Sequence, residues 1–198
     1  MELTSLQALG QFVHDHAVQN NAEIIIAHSV ASIIASMAAT CPQNIVTTVF
    51  SLEGNLTDAD AYFSGNAAEY DDPYEFKTAF LKKLAKLTGG DPVITRYYSI
   101  VETADAQALW QLGCDAKAFS KRRPPGELLM KVAKKRYFFN PANCPIETLD
   151  WLKRHPLPRT QLEGASHCPT IDQPALTANA VISAFNFKAT PAVKARAP

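Results

Sequence analysis

The sequence predicts an α/β fold, with a parallel sheet of about four strands and a helical segment inserted into it. Short β-branched runs show no alternation of polar and apolar residues, which is typical of strands buried on both faces. Helical patterns separate these runs, as in proteins built on a parallel sheet. Between about residues 58 and 135 the strand pattern fades and aromatic residues become frequent.

The N-terminal part of the chain predicts the order helix, strand, helix, strand. Thr4 and Gln7 have the spacing of a capping box, and apolar residues then recur at helical intervals. The β-branched run Glu23–Ala27 predicts the first strand. A helix that begins at Ser29 and ends at Cys41-Pro42 follows it, and then a second buried strand over 45–52.

The rest of the chain divides into an insertion, a return of the α/β pattern and a tail. Residues 1–57 and 136–187 are predicted to form the core, 58–135 a helical lid, and 188–198 a disordered tail rich in Ala, Pro and Lys. The predicted elements of the later chain are helices at 74–87 and 104–112, a strand at 136–139, a helix at 146–154, a strand at 160–163 and a last helix from Pro174.

Composition excludes several classes of function. Lysine plus arginine and aspartate plus glutamate both number 19, so there is no electrostatic reason to expect nucleic acid or an anionic membrane as partner. No apolar run approaches the roughly 20 residues that span a bilayer, and the N-terminus does not resemble a signal peptide. The four cysteines lack metal-like spacing. We therefore expect a cytoplasmic protein with free thiols, a small-molecule substrate, and no cofactor or metal.

Ser29 is the candidate nucleophile. It stands where the strand Glu23–Ala27 passes directly into a helix, which is the context of a nucleophile elbow. Ala27 and Ala31 are small enough for the sharp turn, although glycine is usual at both positions. The N–H of Val30, at the start of the helix, could stabilise an oxyanion. The alternative is a serine that only caps the helix.

His167 is the candidate general base. The segment Gly164-Ala165-Ser166-His167-Cys168-Pro169 follows a short predicted strand and precedes the last helix. A general base must come within about 2.6–3.2 Å of the serine hydroxyl, so it needs a loop at the same edge of the sheet. The alternative is a solvated loop histidine.

Three segments of the chain resemble the α/β-hydrolase fold family. They are the elbow AHSVAS, the strand end SLEGNLTDADAYF and the late GASHCPTIDQP, and the family also inserts a mostly helical lid before its last strands. In that family the triad follows the order serine, acid, histidine. The resemblance therefore implies that Ser29 is the nucleophile and His167 the base.

The acid of the triad is less directly indicated. The usual position, after the strand 136–139, carries the neutral Asn143. Some family members move the acid to the end of the preceding strand, where Glu53 stands, and Asp58 and Asp60 are nearby substitutes. The acid holds the imidazole tautomer and stabilises the imidazolium. Glu53 is thus the expected acid, Asp58 the alternative acid, and a site without an acid a third possibility.

The resemblance implies a serine hydrolase that acts on a carboxylic ester or a similar small, apolar acyl substrate. In the family the elbow strand is the fifth, so the resemblance implies a truncated chain, without the first four strands and without the early loop that carries a second oxyanion donor. This departure favours an alternative, a catalytically impaired fragment that acts as a binding module. A dehalogenase-like enzyme would need a carboxylate where Ser29 stands.

The first strand, with its Ile-Ile-Ile run, is expected to have an exposed edge. Such an edge predicts self-association of the chain.

Overall fold

The computed structural model describes residues 4–62 and 64–186, and this part of the chain has an α/β architecture. The predicted tail at 188–198 lies outside the described residues. In chain order the elements are α1 Leu6–Gln19, β1 Ile24–His28, α2 Ala31–Ala38, β2 Thr48–Leu52, α3 Pro73–Leu87, α4 Pro92–Thr103, α5 Ala106–Arg122, α6 Pro125–Lys131, β3 Lys134–Phe139, α7 Ile146–Arg154, β4 Arg159–Gln161, α8 Pro169–Asp172 and α9 Pro174–Asn186.

The four strands form one parallel sheet in the order β1-β2-β3-β4. This confirms the predicted fold class. Thr48 of β2 pairs with Ile24 of β1 on one side and with Lys134 of β3 on the other. Because all strands run the same way, their carboxyl ends meet at one edge, where open α/β sheets carry their sites.

Each face of the sheet is covered by helices, since alternate side chains of a strand point to opposite faces. On one face, Val49 and Tyr137 pack in a core that also holds Trp151 of α7. On the other face, Phe50 and Phe138 pack against α9. Helix α1 lies outside α2, where Leu6 joins a smaller cluster with residues of α2 and α5, namely Ile33, Ile34, Ala116 and Phe119.

Strand β1 is an edge strand of the described sheet. Ile24 packs against the cluster beneath α9, but Ile26 is 54% exposed. The structure thus shows the apolar edge that the isoleucine run predicts.

The helical insertion has a core of its own. Phe76 and Phe80 of α3 and Val101 of α4 are buried together, and the rings of Phe76 and Phe80 stack. Helix α6 differs from the rest of the insertion because Leu129, together with Val132 just after the helix, packs into the core beside the sheet. The part of the predicted lid nearest β3 therefore packs with the sheet.

Several predicted boundaries require correction. Ser5, not Thr4, is the N-cap of α1: its hydroxyl accepts from the Ala8 N–H, whereas the Thr4 N–H donates to Gln111. Strand β2 begins at Thr48 rather than at residue 45. Helix α4 was not predicted, and α5 continues to Arg122, well beyond the expected residue 112.

Two further findings concern the described residues. The four cysteines are all free. None of the helices formed by residues 4–62 and 64–186 has the length and apolar character needed to cross a bilayer.

Candidate functional site

The carboxyl ends of the four strands bring the predicted site residues together. Ser29 directly follows β1, Glu53 directly follows β2, and His167 lies in the loop that follows β4. The loop after β3 adds Asn140 and Asn143. The site is thus assembled by the parallel topology from four separate stretches of the chain.

Ser29 occupies a sharp turn between β1 and α2. Its φ is 55°, a left-handed conformation that is uncommon for residues other than glycine and costs free energy. The Ser29 N–H donates to the Leu52 carbonyl at 3.0 Å, so the turn is fixed to the neighbouring strand. This strained strand-to-helix turn is the geometry that a nucleophile elbow requires.

His167 faces Ser29 across the edge of the sheet. Its Nε2 lies 3.2 Å from Ser29 Oγ, within the range that proton transfer between a hydroxyl and a base requires. The backbone of the loop is held by two contacts. The His28 Nε2–H donates to the His167 carbonyl at 2.5 Å, and the Ser166 N–H donates to Asp172 at 2.6 Å.

Glu53 is the carboxylate that faces His167. It is 5% exposed, and its Oε2 lies 3.9 Å from His167 Nδ1. Glu53 Oε1 accepts from the Asn140 N–H at 2.7 Å and from Asn143 Nδ2 at 3.1 Å. The φ of Glu53, 47°, is also left-handed, so the candidate nucleophile and the candidate acid both stand on strained turns.

The two other acidic candidates have different surroundings. Asp58 is exposed. Asp60 accepts from the Leu56 and Thr57 N–H groups and from the Thr148 hydroxyl, each at 2.8 Å. Asp60 therefore holds the segment after β2 in place, and Glu53 alone of the three forms an ion-pair contact with His167 in the described residues.

Three residues of the site had no role assigned to them from the sequence, although Asn143 was noted at the usual position of the acid. Asn140 and Asn143 both donate from Nδ2 to the Ala165 carbonyl, at 2.7 and 3.1 Å, and so connect Glu53 to the His167 loop. The Tyr62 hydroxyl lies 3.3 Å from His167 Nδ1. The position of both asparagines directly after β3 could have indicated that they belong to the site. No local pattern indicates Tyr62.

Burial and hydrogen bonding determine the protonation of the site. Desolvation by burial, assisted by the nearby His28, lowers the pKa of His167 to about 4. Burial raises the pKa of Glu53 to about 7, although the hydrogen bonds from Asn140 and Asn143 oppose that shift. His167 is therefore neutral at neutral pH, as a general base must be, and Glu53 titrates near pH 7.

A cavity of about 360 Å³ opens beside Ser29 and His167. One wall is apolar and comes mainly from α4 and α8, with the side chains of Val93, Ile94, Tyr97, Ile100 and Ile171. Val30 is the N-cap of α2 and lines the same cavity, and N–H groups at a helix N-terminus have no partner within the helix. Among the described residues, no group of His, Cys, Asp and Glu side chains is arranged to hold a metal ion.

No protein-family model and no curated protein matches this sequence. Solved structures do match it. A hydrolase from Oleispira antarctica is 17% identical with a TM-score of 0.67, and the match covers 92% of this chain and 73% of that one. A hydrolase from Pseudomonas aeruginosa PA01 is 14% identical with a TM-score of 0.64, over 93% and 73% of the two chains.

A thermophilic esterase from Thermogutta terrifontis is 11% identical with a TM-score of 0.65, over 91% of this chain and 72% of that one. At such low identities the similarity extends to the fold alone. Together with the parallel sheet, this similarity confirms that the chain has the α/β-hydrolase fold, which the sequence resembles.

Proposed function

Because the chain has the α/β-hydrolase fold, we propose that it is a serine hydrolase acting on a carboxylic ester with a small, apolar acyl group. One observation carries the proposal. Ser29 Oγ, on a left-handed strand-to-helix turn, lies 3.2 Å from Nε2 of a histidine that is neutral at neutral pH. A serine of this kind needs a neutral base at that distance to become a nucleophile.

In the acylation step, Ser29 Oγ forms a bond to the ester carbonyl carbon, and its proton passes to His167 Nε2. The carbonyl oxygen becomes an oxyanion that accepts from the Val30 N–H. Glu53 stabilises the imidazolium by its charge. As the bond to the alcohol oxygen breaks, His167 returns the proton to the leaving alcohol, and the acyl group remains on Ser29.

Deacylation repeats these steps with water. His167 takes a proton from the water as its oxygen attacks the acyl carbon, and then gives that proton to Ser29 Oγ as the carboxylic acid leaves. The reaction needs no redox partner, since it only exchanges an alcohol for water at the carbonyl carbon.

The acyl preference rests on the cavity. A volume of about 360 Å³ suits a small substrate, and the apolar side chains of α4 and α8 favour an uncharged acyl group. Asp91 also lines the cavity, but its carboxylate caps α4 by accepting from the Val93 and Ile94 N–H groups. A second carboxylate brought in by the substrate would be repelled there.

The test combines active-site labelling with turnover. The wild-type chain is expected to react with a fluorophosphonate probe and to hydrolyse p-nitrophenyl acetate and butyrate. Ser29→Ala should abolish both, whereas Ser99→Ala, on the exposed surface of α4, should retain both. Labelling or hydrolysis that persists in Ser29→Ala would contradict the proposal.

The distance between Glu53 and His167 favours a second candidate function, a catalytically impaired binding module. Glu53 Oε2 lies 3.9 Å from His167 Nδ1, which is longer than a hydrogen bond. If substrate does not shorten that distance, the site would bind acyl ligands with little turnover. This catalytically impaired binding module would bind butyrate esters in calorimetry without releasing alcohol from them.

A further inference from the structure

We propose that Tyr62 couples the charge of Glu53 to the tautomer of His167, by supplying at Nδ1 the hydrogen-bonding partner that Glu53 does not reach. This inference rests on the proposed function, in which His167 is the general base. It makes Tyr62 a positioning residue, because its hydroxyl acts on His167 rather than on the substrate.

The geometry around Nδ1 supports this role. The Tyr62 hydroxyl lies 3.3 Å from His167 Nδ1, within hydrogen-bonding reach, whereas Glu53 Oε2 lies beyond it at 3.9 Å. The two rings meet edge to face, with centroids 5.9 Å apart and planes inclined by 64°. Nδ1 thus faces a hydroxyl at short range and a carboxylate just behind.

The chemistry of these two groups differs in a way that matters for the base. A phenol hydroxyl can donate or accept, but an ionised carboxylate only accepts. When Nδ1 carries the proton, Tyr62 accepts from it, and Nε2 is free to take the proton of Ser29. When Tyr62 instead donates to a bare Nδ1, the ring proton sits on Nε2, facing Ser29 Oγ, and His167 cannot act as base.

The charge of Glu53 decides between these arrangements. An ionised carboxylate near Nδ1 favours the proton there, so Tyr62 accepts and supports the active tautomer. A protonated Glu53 removes that attraction, and Tyr62 then donates and stabilises the inactive tautomer. The charge of Glu53 also acts on the Tyr62 hydroxyl, because an ionised carboxylate attracts the hydroxyl proton away from Nδ1 and leaves a lone pair facing it. Tyr62 therefore accepts from Nδ1 when Glu53 is ionised and donates to it when Glu53 is protonated, which widens the difference between the two states.

Other titratable groups lie around Tyr62 and His167. His28 contacts His167 from the end of β1, and burial lowers its pKa, so it is neutral across the neutral range. Asp60 and Asp172 act on Glu53 through charge, and Asp60, Cys144 and Cys168 act in the same way on Tyr62. Burial, and then the charge of Glu53, raises the pKa of Tyr62 to about 12, so its hydroxyl keeps its proton.

The experiment reads the tautomer directly, by NMR of the protein labelled with ¹⁵N-histidine. The Nδ1 and Nε2 shifts of His167, assigned by their loss in His167→Gln, are followed from pH 6 to pH 8.5. In the wild type, the proton is expected to move from Nε2 to Nδ1 across this range. In Tyr62→Phe, the change in the tautomer ratio between pH 6 and pH 8.5 should be smaller by about 3- to 10-fold. This factor corresponds to the net free energy of one hydrogen bond.

The controls separate this role from a structural one. Tyr74→Phe, at an exposed tyrosine of α3, should behave as the wild type. Glu53→Gln should make the tautomer ratio independent of pH. A change in Tyr62→Phe equal to that of the wild type would overturn the proposal, even if that variant lost activity.

Turnover gives a second readout. The ratio of kcat in Tyr62→Phe to kcat in the wild type should exceed one at pH 6 and fall below one at pH 8.5, and a constant ratio would count against the proposal. If the chain hydrolyses no ester at all, the proposed function fails, but the NMR measurement still decides the role of Tyr62.

Discussion

Asn143 donates from Nδ2 to Glu53 Oε1 at 3.1 Å and to the Ala165 carbonyl at the same distance. The asparagine thus stands where the fold usually carries the acid and binds the carboxylate that we propose as acid from the neighbouring strand. It also connects that carboxylate to the loop of His167. We infer that Asn143 tunes Glu53 rather than replacing it.

Asn143→Ala should shift the pH dependence of turnover. The hydrogen bond from Asn143 lowers the pKa of Glu53, so its loss should raise that pKa further above about 7. The acidic limb of the kcat profile should then move to higher pH. Asn20→Ala, at the exposed end of α1, is the control. An acidic limb that stays in place would contradict the role we assign to Asn143.

The wild-type profile itself should report Glu53. Since the pKa of His167 is lowered to about 4 and that of Glu53 raised to about 7, kcat should rise with an apparent pKa near 7. Glu53→Gln should lower kcat by up to about 10⁴-fold. Asp58→Asn should change kcat little. A larger loss in Asp58→Asn than in Glu53→Gln would move the acid away from Glu53.

Glu53→Gln should also stabilise the fold at alkaline pH. The pKa of Glu53 is raised on folding, so folding favours the protonated carboxyl, and the favourable contribution is lost as pH rises from about 4.5 through about 7. A glutamine has no charge to bury. Chemical denaturation should give a free energy of unfolding higher by roughly 1–3 kcal/mol at pH 8.5 and little change at pH 4.5. A loss of stability at pH 8.5 would contradict this assignment.

The apolar wall of the cavity should affect binding more than chemistry. Ile100→Ala removes part of that wall and should raise the KM for p-nitrophenyl butyrate by about 3- to 10-fold with kcat nearly unchanged. Ile182→Ala is a matched control, because Ile182 on α9 is 56% exposed and Ile100 is 55% exposed. Equal KM values for the two variants would place the acyl group elsewhere.

The edge of β1 should promote self-association. An edge strand presents unpaired backbone groups, and Ile26 on it is 54% exposed. The chain at high concentration is expected to show larger species by light scattering, and Ile26→Lys should reduce them. Val18→Lys, at an exposed position on α1, should not. Equal association in both variants would locate the contact on another surface.

The sequence predicted elements well where local signals agree. The bounds of α7 follow from Pro145 before the helix and an apolar stripe within it, and the elbow follows from a buried strand that passes directly into small residues. Helix α4 escaped prediction because Val93, Ile94, Tyr97 and Tyr98 are β-branched or aromatic and have weak helix propensity. Burial of Val93 and Val101 and the cap from Asp91 overcome that weakness.

The contacts around the base could be predicted only in part. Parallel topology implies that Ser29, Glu53 and His167 share an edge of the sheet. The position of Tyr62 depends on how the chain turns after β2, where the partly buried carboxylate of Asp60 accepts hydrogen bonds from Leu56, Thr57 and Thr148. Such a network joins residues far apart in the chain, so no local pattern reveals it.

Helix α4 is separate from the part of the molecule that carries the candidate catalytic residues. Most of the apolar cavity wall comes from this helix, whereas the serine, the histidine and the glutamate come from the edge of the sheet. The helix packs on α3 through Val101, in a cluster separate from the sheet core. In the ester hydrolase that we propose, mutations in α4 would change which acyl group is accepted while leaving the reacting groups untouched. A change of acyl preference could therefore arise within this helix without disturbing the edge of the sheet.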